Sequence, residues 1–141
     1  MTVELLKVSS LEDWDAYHRI RRTVLFEARG RFGIYDADHP DDRAAANHPL
    51  LLIEEERPRG TTRLDLLGER RAAIRLVAVE PFFQRRGWGR RRMVLAAQYA
   101  AILGVTLLQV NSAADALEVY RRLGWTLTDR ARENPLLELR L

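Results

Sequence analysis

The chain alternates between short apolar runs and stretches in which apolar residues recur every three or four positions, and each pattern predicts a different element. Residues 3–8 are a short apolar run that reads as a strand. Ser9 or Ser10, followed by Glu12 and Asp13, supplies a helix cap with acids in the first turn, where the helix dipole favours negative charge. In the helix beyond it, Leu11, Trp14, Tyr17 or His18, Ile20 or Arg21, Val24 and Leu25 mark one buried face, and the pattern fades near Gly30. Residues 31–47 carry Gly33, Asp38, Pro40, Asp41 and Asp42 and then the helix-prone Arg43-Ala44-Ala45-Ala46, which predicts a loop with one or two helical turns.

Strands are expected at 50–55 and 61–67, separated by the turn-like Glu56-Arg57-Pro58-Arg59-Gly60, and a further turn at Gly68-Glu69-Arg70 leads into a strand at 72–79. Three antiparallel strands in a row follow from this. After Pro81, residues 90–103 place Met93, Val94, Ala97, Ala100 and Ala101 on one helical face, and Gly104 ends the helix. The continuous apolar run 105–110 suits a buried parallel strand, so residues 72–110 form a right-handed strand–helix–strand crossover. A last helix at 115–123, closed by Gly124, precedes strands at 125–128 and 136–141. The expected fold class is therefore a single α/β domain over residues 1–141, with no repeats or low-complexity tracts.

Composition narrows the chemistry. With 141 residues and 47% apolar content, one continuous core needs no metal or disulfide. The chain has no cysteine, which excludes thiol nucleophiles and thiolate zinc sites, and His18, His39 and His48 lack metal-ligand spacing, so no metal is expected. The N-terminus is too charged for a secretory segment, and no run approaches the roughly 18 apolar residues of a membrane span. A soluble, cytoplasmic protein is expected. The net charge is +3, and Lys7 stands alone against 22 arginines interspersed with 20 acids, a balance that does not mark a nucleic-acid or membrane binder.

One arginine cluster does sit where an anion is needed. From Glu80 to Met93 no Ser, Thr, Asp or Asn is present to cap the helix, so its first-turn N–H groups are expected to be free. Arg85, Arg86, Arg90, Arg91 and Arg92 crowd this positive end, and Gly87 and Gly89 open the backbone to close approach. Together they suit a pyrophosphate. An uncapped surface helix in an arginine-rich chain would look the same by residue type alone.

The segment Val79-Glu80-Pro81-Phe82-Phe83-Gln84-Arg85-Arg86-Gly87-Trp88-Gly89 resembles the acetyl-coenzyme A signature of the GNAT acyltransferase superfamily. Asn111 and Ala114, with Val119-Tyr120-Arg121-Arg122-Leu123-Gly124-Trp125, are similar to that family's second conserved block. Residues 20–27, with Asp38, Asp42, His48 and Thr62-Arg63-Leu64, resemble a bacterial branch of it whose glutamate–glutamine pair is replaced here by Ala28 and Arg29. The resemblance implies a mostly antiparallel mixed sheet, splayed between its two parallel strands and flanked by helices. It implies acetyl-coenzyme A as acyl donor, bound by Gln84, Arg85, Arg86, Gly87, Trp88, Gly89 and Arg90, by the backbone of Val77 and Val79, and by Asn111. It further implies transfer to an amine in a ternary complex, with Tyr120 as the acid that protonates the thiolate.

For each of these residues a purely structural role is open: Tyr120 as a core tyrosine, Asn111 as a helix cap, Val77 and Val79 as ordinary buried strand. The family's glutamate early in the third strand is Ala73 here, with Arg75 two residues later. Glu27, His48, Glu54, Asp65 and Glu80 remain as conceivable bases beside a water relay, and Arg63 and Arg75 could meet an acidic substrate or form ion pairs with a neighbouring strand. The expected partner is a small-molecule or peptide amine, and a homodimer is compatible with the sequence. The rival reading is a noncatalytic acyl-coenzyme A-binding or sensor module that keeps the phosphate turn without a base.

Overall fold

The structure is a computed structural model that describes residues 3–81, 88–130 and 133–141, without the side-chain surroundings of Trp88, Gly89 and Asp115. The strands are β1 (Val3–Lys7), β2 (Asn47–Glu54), β3 (Arg57–Gly68), β4 (Arg71–Val79), β5 (Leu107–Asn111), β6 (Thr126–Asp129) and β7 (Leu136–Arg140), and the helices are α1 (Leu11–Arg21), α2 (Trp88–Ile102) and α3 (Leu117–Arg122). The strands form one seven-stranded sheet in the order β1-β2-β3-β4-β5-β7-β6. Only β4 and β5 pair in parallel, joined through α2, while the other neighbours are antiparallel. The mixed α/β architecture expected from the sequence is therefore present.

The sheet is covered on both faces. Leu50, Leu64, Ile74 and Leu108 point to one side, where Met93, Ala96 and Ala100 of α2 pack on them, and Leu51 and Ile53 point to the other, against Ala16 and Tyr17 of α1. The alternation Leu50/Leu51 follows from the two-residue period of a strand. It also explains why residues 50–53 read as a continuous apolar run.

α1 starts with a complete capping box: the Ser10 hydroxyl accepts from the Asp13 N–H, and the Asp13 carboxylate accepts from the Ser10 N–H. Those bonds, with one from the Ser9 N–H, hold the Asp13 carboxyl below its usual range. The predicted face is partly corrected. Ala16, Tyr17, Ile20 and Arg21 are buried, but Leu11 is exposed, because nine residues at 3.6 per turn place it half a turn round from Ile20. The helix then widens into a π-turn at Arg22–Phe26 and tightens into a 3-10 turn at Glu27–Arg29 before Gly30, at φ 76°, ends it. The loop after it has one 3-10 turn, Pro40–Arg43.

The first hairpin turn differs from expectation, while the second lies at Glu69 and Arg70 as expected. The first lies at Glu55 and Glu56, which both take left-handed φ values of 48° and 67°, the primed two-residue turn whose twist matches the strands. Pro58, Arg59 and Gly60, expected in the loop, are instead strand residues around a bulge, with Leu52 opposite Gly60 and Ile53 opposite Pro58. Gly60 is needed there, since a Cβ would lie 2.8 Å from the Ala78 carbonyl oxygen. On α2 the buried face is Met93, Ala96 and Ala100; Val94 and Ala101 are exposed. Among the described residues, no helix is long and apolar enough to cross a membrane, and no cluster of His, Asp and Glu could hold a metal ion.

Candidate active site

The site begins where a ladder stops. β4 and β5 pair from Arg71–Leu107 to Ile74–Val110, and beyond that rung they separate. A bulge on β4 accompanies the separation. Ala78 lies opposite Thr61 and Arg75 opposite Arg63, three steps on β4 against two on β3, and Leu76 takes the left-handed φ of 52°. The Thr62 hydroxyl donates to the Arg75 carbonyl at 3.2 Å and holds the distorted strand on its β3 side. Asn111, at the end of β5, is engaged by Leu136 of β7 rather than by β4.

The gap opens into a cleft of about 730 Å³. Arg75, Leu76 and Val77 form its floor, Asn111 and Tyr120 stand on the β5 side, and Leu25 and Phe26 of the π-turn approach from the other. The Asn111 amide donates to the Asn134 carbonyl at 3.1 Å, which fixes the side chain without filling the gap. Tyr120 of α3 is half-buried with its ring edge-on to Trp125, centroids 5.6 Å apart, and is hydrogen-bonded to Arg92 of α2. A guanidinium has only donors, so Tyr120 is the acceptor of that bond and its own O–H is not used in it. Burial draws the Arg92 pKa down, and the contact with Tyr120 opposes the shift.

The residues singled out from sequence divide into three groups. Tyr120, Asn111 and Val77 meet at the cleft. Val79 does not line it: its side chain is buried against Leu52, and its backbone lies opposite Gly60 of β3. Gln84, Arg85, Arg86 and Gly87 lie outside the described residues, while Trp88 and Gly89 begin α2 and Arg90 is exposed on its first turn.

None of the conceivable bases lines the cleft. His48 sits 3.4 Å from the Tyr99 hydroxyl, with its pKa lowered by burial and by Lys7. Asp65 is held by Arg63 and Arg75, and Glu80 is 4.0 Å from Arg59. Glu54 ends β2, and Glu27 lies in the 3-10 turn outside the cleft lining. Sequence reasoning missed Arg29, Arg31 and Asn134 as cleft residues, because their approach depends on the loop path and on the β5–β7 pairing.

The chain matches a known family. The model of the Acetyltransferase (GNAT) family covers residues 11–125, and the chain belongs to that family. Solved structures agree in fold. The chain is similar to a protein from Lactobacillus plantarum described as a putative N-acetyltransferase, with 20% identity, 100% and 99% of the two chains covered, and a TM-score of 0.82. It is similar to a chimera of the Vibrio cholerae spermidine N-acetyltransferase at 13% identity, 99% and 96% coverage and a TM-score of 0.78. It is also similar to the N-acetylglutamate synthase of Neisseria gonorrhoeae, complexed with coenzyme A and N-acetyl-glutamate, at 18% identity and a TM-score of 0.76, covering 100% of this chain and 35% of that one. No match is found among the curated proteins. At such identities the likeness establishes the fold.

Proposed function

We propose that the protein transfers an acetyl group from acetyl-coenzyme A to the amine of a small molecule or peptide by direct attack in a ternary complex. The observation that carries this reading is the parting of β4 and β5 beyond Ile74 and Val110, with a tyrosine hydroxyl on the wall of the opening. An extended pantetheine arm fits such an opening as an added strand, its amides paired with the peptide groups of Val77 and Val79 and its flank on Asn111. Its pyrophosphate would rest on the first-turn N–H groups of α2, with Gln84, Arg85, Arg86, Gly87, Trp88, Gly89 and Arg90 around it.

In the reaction the amine nitrogen attacks the thioester carbon, a backbone N–H of β4 stabilises the oxyanion, and the C–S bond breaks as the amide forms. Tyr120 gives its proton to the departing thiolate as general acid. The amine loses its proton to water, since among the described residues no carboxylate or imidazole lines the cleft. This reading implies the cytoplasm, where acetyl-coenzyme A is available.

That missing base is also the observation that favours the rival, a noncatalytic acyl-coenzyme A sensor. The deciding experiment incubates the purified protein with acetyl-coenzyme A and a panel of amino acids, peptide N-termini, polyamines and aminoglycosides. Thiol release that requires an amine, with an acetylated product in the mass spectrum, supports transfer. Binding of acetyl-coenzyme A with no amine-dependent release supports the sensor.

A further inference from the structure

The cleft wall across β4 from Asn111 and Tyr120 carries charge of one sign. Arg29 and Arg31 reach it from the end of the helical segment before β2, Arg63 from β3 and Arg75 from β4, and among the described residues no aspartate, glutamate or histidine lines the cleft beside them. Arg29 and Arg31 are exposed and form no ion pair among the described residues.

Behind this wall runs a buried ladder of ion pairs. Arg21 grips both oxygens of Asp42 at 2.8 Å, Arg63 Nη1 reaches Asp42 at 3.1 Å, Arg63 Nε and Nη2 hold Asp65 at 2.7 and 3.0 Å, and Arg75 Nε meets Asp65 at 3.0 Å. Burial works against the charge on Arg63, but Asp65 and then Asp42 overcome it and hold its pKa above the usual arginine value. Three guanidiniums thus share two carboxylates. The two inner ones are sealed, with side chains 8% and 7% exposed, whereas Arg75 is 44% exposed and meets the ladder through Nε. The excess positive charge therefore emerges at Arg75, beside Arg29 and Arg31, with its orientation fixed from behind.

Such a wall selects an acceptor in two ways. A planar guanidinium binds a carboxylate through paired hydrogen bonds, stronger and more directional than a contact with a neutral amide. Clustered cations also disfavour a nearby ammonium, which lowers the pKa of the bound amine and offsets the lack of a base, while a polycation is repelled.

Resting on the acetyl-transfer reading, we propose that the acceptor is a small amine that also bears a carboxylate, held by Arg75, Arg29 and Arg31 so that its amino group faces the opening beside Tyr120. The test uses the full chain and the matched pairs β-alanine with β-alaninamide and γ-aminobutyrate with γ-aminobutyramide, in which the amide removes the molecule's only carboxylate, with spermidine as the cationic contrast. Turnover is measured with acetyl-coenzyme A, and acceptor affinity is measured by calorimetry in the presence of coenzyme A. The acids should exceed their amides by about 10- to 100-fold in kcat/KM and in affinity, as expected for a charged against a neutral hydrogen bond. Arg75→Gln should shrink that preference to about 3-fold or less, Arg75→Lys should recover part of it, and Arg121→Ala, in an exposed ion pair with Glu118, should leave it intact. Circular dichroism confirms that each variant is folded.

Equal or better use of the amides or of spermidine overturns the carboxylate subsite while leaving acetyl transfer standing. Arg75-dependent binding of the acids with no acetylated product in any mixture supports the subsite and removes the catalytic reading instead. Acids that bind no better than amides, with no turnover, overturn both.

Discussion

Arg92 of α2 is hydrogen-bonded to the hydroxyl of Tyr120 of α3, so the two helices that flank β5 in sequence meet at one phenolic oxygen. The Arg92 Nε has no hydrogen-bond partner among the described residues. If Tyr120 protonates the thiolate, Tyr120→Phe should lower chemistry-limited turnover about 10- to 1000-fold with cofactor affinity nearly unchanged. Arg92→Met should also slow turnover, and its effect should largely vanish in the Tyr120→Phe background, because the arginine acts only through that hydroxyl. Single-turnover rates of the four proteins check both points, and additive losses would separate the two residues.

Asp42 is the keystone of the buried ladder, 3% exposed, accepting from Arg21, Arg63 and, at 3.4 Å, the Tyr17 hydroxyl. Asp42→Ala leaves two guanidiniums buried without their shared counter-charge, and a loss of about 3–5 kcal/mol in denaturant unfolding is expected. The exposed pair Arg121–Glu118 should by contrast contribute less than about 1 kcal/mol.

Leu76 holds a left-handed backbone in the middle of β4 with its side chain 42% exposed. The conformation costs an ordinary residue about 1–2 kcal/mol, so strain is stored where β4 leaves β5. Leu76→Gly should leave stability unchanged or raise it by about 1 kcal/mol, while Ile74→Ala, two residues away at 4% exposure, should cost about 2–5 kcal/mol. Thermal melts of the two variants decide; a large loss at position 76 would remove strain as the explanation of the bulge.

Burial depresses the pKa of His18 and of His48 below the ordinary 6.5. The folded state then binds fewer protons than the unfolded state, and the stability tied to these groups is present above about 6.5 and lost as pH falls through the lower folded values. Melting temperature should drop between pH 7 and pH 5, and the drop should be shallower in His48→Gln.

Much of this layout was legible because it follows local rules. The cap at Ser10, the glycines at 30, 104 and 124, and the apolar run at 50–53 each fix their segment through a few neighbouring atoms. The turn at Glu55-Glu56 was not legible, since nothing about glutamate announces a left-handed backbone; the pull came from the strand twist on either side, while Pro58 and Gly60 imitated a loop. The arginine wall was hidden for another reason. Arg29, Arg31, Arg63 and Arg75 are brought together only by the sheet register and the π-turn, and in a chain with 22 arginines no single one stands out.

The proposed phosphate-binding segment ahead of α2 supplies the last prediction. Its proposed strength lies in backbone geometry: free N–H groups at a helix start, with Gly87 leaving room for a pyrophosphate. Gly87→Val places a branched side chain in that space and should weaken coenzyme A binding at least about 10-fold, or about 1.4 kcal/mol. The fold should survive, because the core beneath α2 is made by Met93, Ala96 and Ala100 further along the helix. Arg91→Ala removes one exposed charge from the same end without altering the turn. A backbone site predicts a large loss that is nearly independent of salt for Gly87→Val and a small, salt-sensitive one for Arg91→Ala, since exposed charges are screened beyond about 8–10 Å at physiological ionic strength. A site built on charge alone predicts similar, salt-dependent losses in both. Calorimetry at two salt concentrations distinguishes them, and a Gly87→Val protein that binds coenzyme A as tightly as the parent would move the cofactor away from this turn.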